Sequence, residues 1–260
     1  MKIFYFTATG NSLYVAKRIG GELYSIPQMI KEGKYEFEDE AIGFVFPCHG
    51  FGMARLVSNF IKKTKFKADY FFAIMTYGGN PSSGVRHVEL VGREAGIKFN
   101  YTNEILMIDN YLPTFKMEEE IKNKDPKKIE ERLSGIIADI SNRRNSLVRK
   151  GIASNTLAKY GRRLADKLSY NYAFKKFIVK DNCTSCKICK KVCPASNIKV
   201  TNKPEFFNKC EMCLACIHHC PQNAIHLKAE KSEVRFINHN VKLKEIIDAN
   251  NQSKNLNIGK

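Results

Sequence analysis

The feature that most constrains this chain is a cysteine pattern that occurs twice. Each copy reads C-x2-C-x2-C-x3-C-P, and together the two copies use eight of the nine cysteines. The members are Cys183, Cys186, Cys189 and Cys193 in the first copy, and Cys210, Cys213, Cys216 and Cys220 in the second. Short gaps let one loop place three thiolates around a single inorganic group, and thiolates suit soft, cluster-bound iron. The pattern therefore predicts a fold organised around iron–sulfur clusters.

Zinc and disulfide bonds explain these cysteines less well. A zinc site needs four ligands and gives no reason for two identical runs. A disulfide framework is typical of short secreted chains with a signal peptide. The N-terminal apolar run, Ile3 to Phe6, is too short for such a peptide, and no apolar stretch reaches the length of a membrane span. We therefore expect a cytoplasmic protein without a membrane span.

The two runs resemble those of bacterial ferredoxins that bind two [4Fe–4S] clusters, in which the fourth cysteine of each run ligates the other cluster. The resemblance implies two ligand sets: Cys183, Cys186, Cys189 and Cys220 for cluster I, and Cys210, Cys213, Cys216 and Cys193 for cluster II. His218 and His219 lie inside the second run, where thiolates already complete each set. We therefore expect both histidines at the surface.

Residues 1–110 show a different pattern, in which apolar runs alternate with helical periodicity. Lys2–Phe6, Ala41–Phe46 and Tyr70–Met75 are the clearest strand candidates. Strands and helices at this spacing predict an α/β fold with a doubly wound parallel sheet. The loop after the first strand is rich in hydroxyls and precedes a helix. At that position free backbone N–H groups and the positive end of the helix can hold a phosphate.

Three loops are expected to meet at the carboxyl edge of this sheet, where open α/β sheets bind ligands. Their candidate binding residues are Thr7, Thr9, Gly10, Asn11 and Ser12 in the first loop, Pro47, Cys48, His49, Gly50 and Phe51 in the second, and Thr76, Tyr77, Gly78, Gly79 and Asn80 in the third. Two aromatic rings and several glycines suit an isoalloxazine ring held between loops. The same residue types also suit ordinary turns and core packing, and only the combination of all three loops favours a flavin.

At these residues the chain resembles flavodoxins joined to a bacterial-type ferredoxin, the arrangement of flavodoxin–ferredoxin fusion proteins in anaerobic prokaryotes. Flavodoxins bind FMN through a T-x-T-G-x-[ST] loop, which Thr7–Ser12 matches. The resemblance implies one FMN in addition to two [4Fe–4S] clusters. The chain has no tryptophan, so Tyr77 is the expected stacking partner. Asn110 and Tyr111 follow the last predicted strand and are expected to border the pocket.

We divide the chain into four parts on this basis. They are a flavodoxin-like FMN-binding domain (1–110), a basic helical connector (111–176), a small α+β ferredoxin domain with two [4Fe–4S] clusters (177–229) and a C-terminal tail (230–260). In the connector, one helix is expected from Asp125-Pro126 to about Gly151, and a second over Ser154–Lys176 with a basic outer face. The tail contains a short helix candidate, Leu243–Ala249.

The charge distribution indicates what kind of partner the protein binds. The net charge is +17, and eight lysines between Lys180 and Lys228 are opposed only by Asp181, Glu205 and Glu211. Ferredoxins are usually acidic, so this departure predicts an acidic redox partner protein. Nucleic acid is a weaker candidate because no recognised binding motif accompanies the charge.

The leading hypothesis is an iron–sulfur flavoprotein that relays electrons between FMN, two clusters and an external redox partner. One alternative is a flavin-dependent reductase that acts directly on a small substrate, although no nicotinamide fingerprint is present. Another is a nucleic-acid-binding redox sensor. The sequence assigns no catalytic residue, and it leaves open the direction of electron flow and the oligomeric state.

Overall fold

The structure is a computed structural model that describes residues 1–50, 52–81, 83–148 and 176–251. We refer to residues 1–148 as the N-terminal half and to residues 176–251 as the C-terminal half. Phe51 and the helical pattern predicted from Ser154 lie outside the described residues, except for Lys176.

A parallel sheet of five strands organises the N-terminal half, and its spatial order is β2-β1-β4-β6-β7. The strands are β1 (Lys2–Tyr5), β2 (Glu22–Ser25), β4 (Ala41–Pro47), β6 (Tyr70–Tyr77) and β7 (Tyr101–Leu106). All four neighbouring pairs run parallel. The predicted α/β class with a parallel sheet is therefore confirmed.

Two groups of helices cover the sheet. They are α1 (Asn11–Ile19), α2 (Ile26–Glu32), α3 (Arg55–Lys63), α4 (Gly84–Glu94), α5 (Met117–Asn123) and α6 (Pro126–Ser141). Helix α1 contacts α6, whereas α3 contacts both α2 and α4. The chain reverses direction across the sheet at β1, since β2 lies on one side of β1 and β4, β6 and β7 on the other. Right-handed crossovers then place α1 on the opposite face from α3 and α4.

Several boundaries differ from the sequence expectation. The last strand, β7, begins at Tyr101 rather than near Ile105, so the loop after it starts earlier. Helix α6 ends at Ser141, one residue after the last apolar position of its pattern, Ile140, rather than near Gly151. Ser146 then bridges to Tyr101 and extends the sheet edge, which explains why the helix cannot continue. A second parallel pair, β3 (Glu36–Glu38) with β5 (Lys65–Lys67), was not predicted.

Phenylalanine rings fill much of the core of the N-terminal half. Phe4 lies at the centre of a set of rings with centroids 4.6–5.8 Å apart, which includes Phe37, Phe44, Phe60 and Phe66. On β4, Gly43 leaves room for another ring. A Cβ atom added to Gly43 would lie 2.0 Å from Cζ of Phe72 on the neighbouring strand. The lack of a side chain at Gly43 is therefore a packing requirement.

The C-terminal half contains a structural repeat that follows the repeated cysteine pattern. Strand β8 (Phe177–Val179), helix α7 (Ile188–Lys191) and strand β9 (Ile198–Val200) recur as β10 (Pro204–Phe206), α8 (Ala215–His218) and β11 (Ile225–Leu227). Each element is displaced along the chain by the same number of residues as Cys210 is from Cys183. The antiparallel pairs are β8 with β11 and β9 with β10, so each pair joins the two repeats.

The segment after the repeat returns to the N-terminal half. It ends in helix α9 (Leu243–Asn250), which agrees with the predicted Leu243–Ala249. Helix α9 contacts both α2 and α7, and Asn250 is fully buried. The side chain of Asn250 donates hydrogen bonds to the carbonyl oxygens of Thr7 (2.9 Å) and Val192 (3.3 Å). The described part of the tail, up to Asn251, is thus a packed connection between the halves.

We expect Gly43→Ala to lower the free energy of unfolding of the N-terminal half by about 1–3 kcal/mol, because a methyl group would displace the Phe72 ring in a full core. The urea midpoint, followed by tyrosine fluorescence, measures the change. Gly135→Ala is the matched control, because no atom lies within 4 Å of a Cβ at this helical position. It should raise the stability by up to about 1 kcal/mol. Equal effects of the two substitutions would contradict the packing argument.

Candidate functional site

The eight cysteines of the repeated pattern surround two cavities of similar size. Cavity I, about 310 Å³ up to its open mouth, is lined by Cys183, Cys186, Cys189 and Cys220. Cavity II, about 330 Å³ on the same measure, is lined by Cys193, Cys210, Cys213 and Cys216. The fold thus brings together the same two sets of four that the crossed arrangement of bacterial ferredoxins implies. Within the described residues, no three His, Cys, Asp or Glu side chains converge closely enough to hold a single metal ion.

The loops around the two cavities adopt matching backbone conformations. Ser185 and Lys187 in the first run have positive φ, as do Met212 and Leu214 at the equivalent positions of the second run. Left-handed residues turn the loop tightly between cysteines, so consecutive thiols face a common centre. Three backbone N–H groups donate to cysteine sulfur at 3.3 Å: Asn197 to Cys193, Met212 to Cys210 and Ala224 to Cys220. Such donors stabilise sulfur that carries negative charge.

The thiols of cavity II are more deeply buried than those of cavity I. Cys213 and Cys216 are buried, whereas Cys183 is half-buried and Cys186 is exposed. Burial raises the pKa of Cys189 and Cys210 to about 12, and it raises the pKa of Cys213 well above the ordinary range. The metal-free protein therefore holds these groups as neutral thiols. Iron must displace their protons on binding, which couples cluster assembly to proton release.

A cleft lies at the carboxyl edge of the sheet, where the three predicted loops meet. It encloses about 410 Å³ including its open mouth. Ten of the predicted binding residues line it: Thr7, Thr9, Asn11, Ser12, Pro47, Cys48, His49, Thr76, Tyr77 and Gly78. The structure does not place Gly10, Gly50, Gly79 or Asn80 in the lining, and Phe51 lies outside the described residues. The binding role of these residues stays a prediction.

Hydroxyl and amide groups in the cleft hold one another in place. Ser12 Oγ and Thr76 Oγ1 are 2.9 Å apart and join the first loop to the third. Asn110 Nδ2 donates to Thr9 Oγ1 at 2.8 Å. Helix α1 begins at this loop without a hydrogen bond from a capping side chain. Its first-turn N–H groups are thus available to a ligand that carries negative charge.

A fourth loop, Met107–Asn110, also lines the cleft. The sequence analysis foresaw Asn110 here, but it missed Met107, Ile108 and Asp109 because β7 was placed too late. Tyr111, the other residue expected at the border, is not among the lining residues. Correct bounds for β7 would have identified this loop, because the carboxyl ends of parallel strands lie at one edge of the sheet.

The position of Asp109 explains why residue 78 is a glycine. A Cβ atom added to Gly78 would lie 2.2 Å from Cβ of Asp109. The backbone N–H of Tyr111 donates to Asp109 Oδ1 at 2.8 Å, and the backbone N–H of Asp109 donates to Glu120 at 3.1 Å. Burial raises the pKa of the Asp109 carboxyl. A carboxyl group that binds protons more readily than usual therefore lies in the wall of the cleft.

The expectation that His218 and His219 lie at the surface was wrong. They are only 2% and 4% exposed, because their side chains point into the boundary with the N-terminal half. His218 Nε2 donates to the carbonyl of Asn110 at 2.8 Å, and His218 Nδ1 accepts from the N–H of Phe236 at 3.1 Å. His219 Nε2 donates to the carbonyl of Ala8 at 3.0 Å. Both histidines therefore join the cysteine run to loops that line the cleft.

Comparisons with known proteins agree with the cysteine geometry. Residues 182–233 match the family model described as a 4Fe-4S dicluster domain. Over 58 residues it is 43% identical to a protein of the ion-translocating oxidoreductase complex of Methanosarcina acetivorans, and the match covers 20% of this chain and 21% of that protein. The chain thus matches only about a fifth of that relative. The family match supports iron–sulfur binding by the cysteine-rich part of the chain.

Part of the chain also shows a weak likeness to a solved structure. The Trp repressor binding protein from Bacillus subtilis covers 56% of this chain and 99% of its own length, with a TM-score of 0.36 and 14% sequence identity. None of the helices in the described ranges has the length and apolar character needed to cross a bilayer.

The surface of the C-terminal half is more basic than the sequence suggested. Glu211, counted above among the acidic residues, is buried and lies 3.8 Å from the guanidinium of Arg55 in the N-terminal half. Asp181 is paired with Lys203 at 2.6 Å. Lys187, Lys190 and Lys191 are exposed, and none of them forms an ion pair with any residue that the structure describes. Of these three lysines, Lys187 lines cavity I, so unpaired positive charge lies at the exposed cavity.

The burial of His218 predicts a pH dependence. Burial lowers its pKa from 6.5 to about 4. Between these values the unfolded chain binds a proton at this histidine and the folded chain does not, so stability is lost as the pH falls from about 6.5 towards 4. We expect the melting temperature of His218→Gln to depend less steeply on pH over this range than that of the wild type. Parallel pH profiles of the two proteins would contradict the prediction.

Proposed function

We propose that the chain is an electron-transfer flavoprotein, in which FMN occupies the cleft and one [4Fe–4S] cluster occupies each cavity. The observation that carries the proposal is the direct contact between the sites. Ala8 lines the cleft, and its carbonyl accepts a hydrogen bond from His219, which lies between Cys216 of cavity II and Cys220 of cavity I. A cluster whose binding segment contacts the wall of the cleft is suitably placed to exchange electrons with a ligand bound in that cleft.

The residues around the cavities fit the clusters. Four thiols, left-handed turns between them and N–H groups aimed at sulfur make a suitable set of donors for a [4Fe–4S] cluster. We assign cluster I to Cys183, Cys186, Cys189 and Cys220, and cluster II to Cys193, Cys210, Cys213 and Cys216. Each cysteine run then supplies three ligands to one cluster and one ligand to the other.

The residues around the cleft fit FMN. The cleft volume falls within the range of small-molecule sites, about 300–1,000 Å³. Hydroxyl groups and the uncapped start of α1 suit a phosphate group, and Tyr77 supplies an aromatic ring. The strand order of the sheet is that of flavodoxin-like folds, and the cleft lies at their usual ligand position. FMN would supply exchange of one or two electrons, whereas each cluster passes one.

The surroundings of the two cavities favour one of them as the site where electrons enter or leave. Cavity II packs against the N-terminal half, and Cys213 belongs to the same core as the sheet. Cavity I faces solvent through Cys186 and the exposed Lys187. We therefore assign the exchange with an external partner to cavity I. The unpaired Lys187 in its lining favours an acidic partner protein, since complementary charge raises the rate of encounter. We propose a cytoplasmic location, which labile clusters and reduced thiols favour.

Cofactor analysis after anaerobic purification tests the assignment. We expect about eight irons and one FMN per chain. Cys193→Ala should lower the iron content to about four per chain, because one of the two clusters loses a ligand. Cys48→Ala is the matched control and should retain all of the iron, because Cys48 lies in the cleft and not in either cavity.

Double variants test the crossed pairing. Adding Cys216→Ala to Cys193→Ala should leave about four irons, since both residues belong to cluster II in our assignment. Adding Cys189→Ala instead should remove nearly all of the iron, because both clusters then lack a ligand. The reverse result would show that each cysteine run binds its own cluster.

A charge reversal tests the exchange site. We expect Lys187→Glu to slow the oxidation of the reduced protein by ferricyanide, an anionic oxidant, by about threefold or more at low salt, with the difference disappearing at high salt. Stopped-flow absorbance of the clusters measures the rate. Lys65→Glu is the control, because it makes the same charge change on β5 of the N-terminal half. Equal slowing by both variants would contradict the assignment of exchange to cavity I.

A further inference from the structure

Three successive carbonyl groups of the loop after β1 accept hydrogen bonds from the C-terminal half. The carbonyl of Thr7 accepts from Asn250 Nδ2 at 2.9 Å, and the carbonyl of Ala8 accepts from His219 Nε2 at 3.0 Å. The carbonyl of Thr9 accepts from the backbone N–H of Asn238 at 2.8 Å. These three residues are themselves only 1–4% exposed. The C-terminal half thus fixes the orientation of three consecutive peptide groups.

The orientation of these carbonyls decides where the N–H groups point. In a planar trans peptide the C=O and the following N–H point in opposite directions. The N–H groups of Ala8, Thr9 and Gly10 are therefore turned away from the C-terminal half. The N–H of Gly10 donates to Thr7 Oγ1 at 3.2 Å. Those of Ala8 and Thr9, which both line the cleft, donate to no acceptor in the described part of the chain.

All three donors are anchored within the C-terminal half. His219 lies between two cluster cysteines, so its position depends on the fold of the second run. Asn250 also donates to Val192, the residue before Cys193. Asn238 lies two residues after Phe236, whose N–H donates to His218. Gly10 allows the close approach that this packing needs, since it has φ of 104° and an added Cβ would lie 3.0 Å from Cβ of Asn238.

We propose that His219 and Asn250 are positioning residues for the phosphate group of the flavin. From the cluster side, they hold the loop after β1 with its N–H groups directed into the cleft. The cluster-binding half is therefore part of the flavin site, although neither side chain lines the cleft. The inference rests on the proposed function and adds that the affinity for the phosphate depends on the iron–sulfur half of the chain.

Flavin titrations of the full-length, iron-replete and flavin-free protein test this inference. FMN and riboflavin are the probes, because they differ only in the phosphate group. For His219→Phe, which removes the donor but keeps a ring, we expect the dissociation constant for FMN to rise about tenfold. The constant for riboflavin should change by less than about twofold. Flavin fluorescence measures both constants, and iron analysis confirms that the clusters are intact.

Two further variants separate positioning from a general loss of stability. His219→Gln retains a donor at the equivalent reach and should restore most of the preference for FMN. Asn250→Leu removes a second donor to the same loop and should lower the preference as His219→Phe does. His226→Phe is the matched control: His226 is a buried histidine in the same half, and it contacts Asn223 and Glu230 rather than the loop. It should leave the ratio of the two dissociation constants unchanged.

The outcomes distinguish the inference from the function on which it rests. A wild-type protein that binds no flavin would overturn the flavin part of the proposed function and this inference together. A wild-type preference for FMN that persists in both His219→Phe and Asn250→Leu, with full iron content, would overturn the inference alone. Loss of the preference in His226→Phe as well would also overturn it, because the effect would then reflect stability.

Discussion

The hydrogen bonds that join the second cysteine run to the sheet are the interaction on which this structure depends most. His218 and His219 point into the boundary between the halves and donate to the carbonyls of Asn110 and Ala8. Burial keeps both side chains neutral at physiological pH, since it lowers both pKa values. A backbone carbonyl accepts a hydrogen bond from each neutral ring, which offsets part of the cost of burying it. The halves therefore share one boundary that includes walls of both candidate sites.

This boundary gives the two cysteine-lined cavities different environments. Cavity II lies against the sheet and three of its four thiols are buried, whereas cavity I opens to solvent beside the unpaired Lys187. Burial and local charge both shift the reduction potential of an iron–sulfur cluster. Two chemically similar ligand sets thus differ in burial and in local charge, because the fold surrounds them differently.

The sequence predicted the elements whose signal is local. The cysteine spacing indicated iron–sulfur, and alternating apolar runs indicated the parallel sheet with ligand loops at its carboxyl edge. Prediction from the sequence failed where the role of a residue depends on a distant segment of the chain. His218 and His219 looked like surface residues because nothing near them in sequence indicates burial. Asp109 was missed because tertiary pairing, and not a local breaker, decides where β7 begins.

Read alone, the sequence therefore determined the chemistry of the sites: thiol sets at fixed spacing and a hydroxyl-rich loop before a helix. Short-range spacing suffices for this, because each motif is built within a few residues. Only the tertiary structure decided how the sites are joined. The contacts from Asn250 and His219 to Thr7 and Ala8 span more than 200 residues of chain. No local pattern specifies such a contact, because it forms only when both halves have folded and packed together.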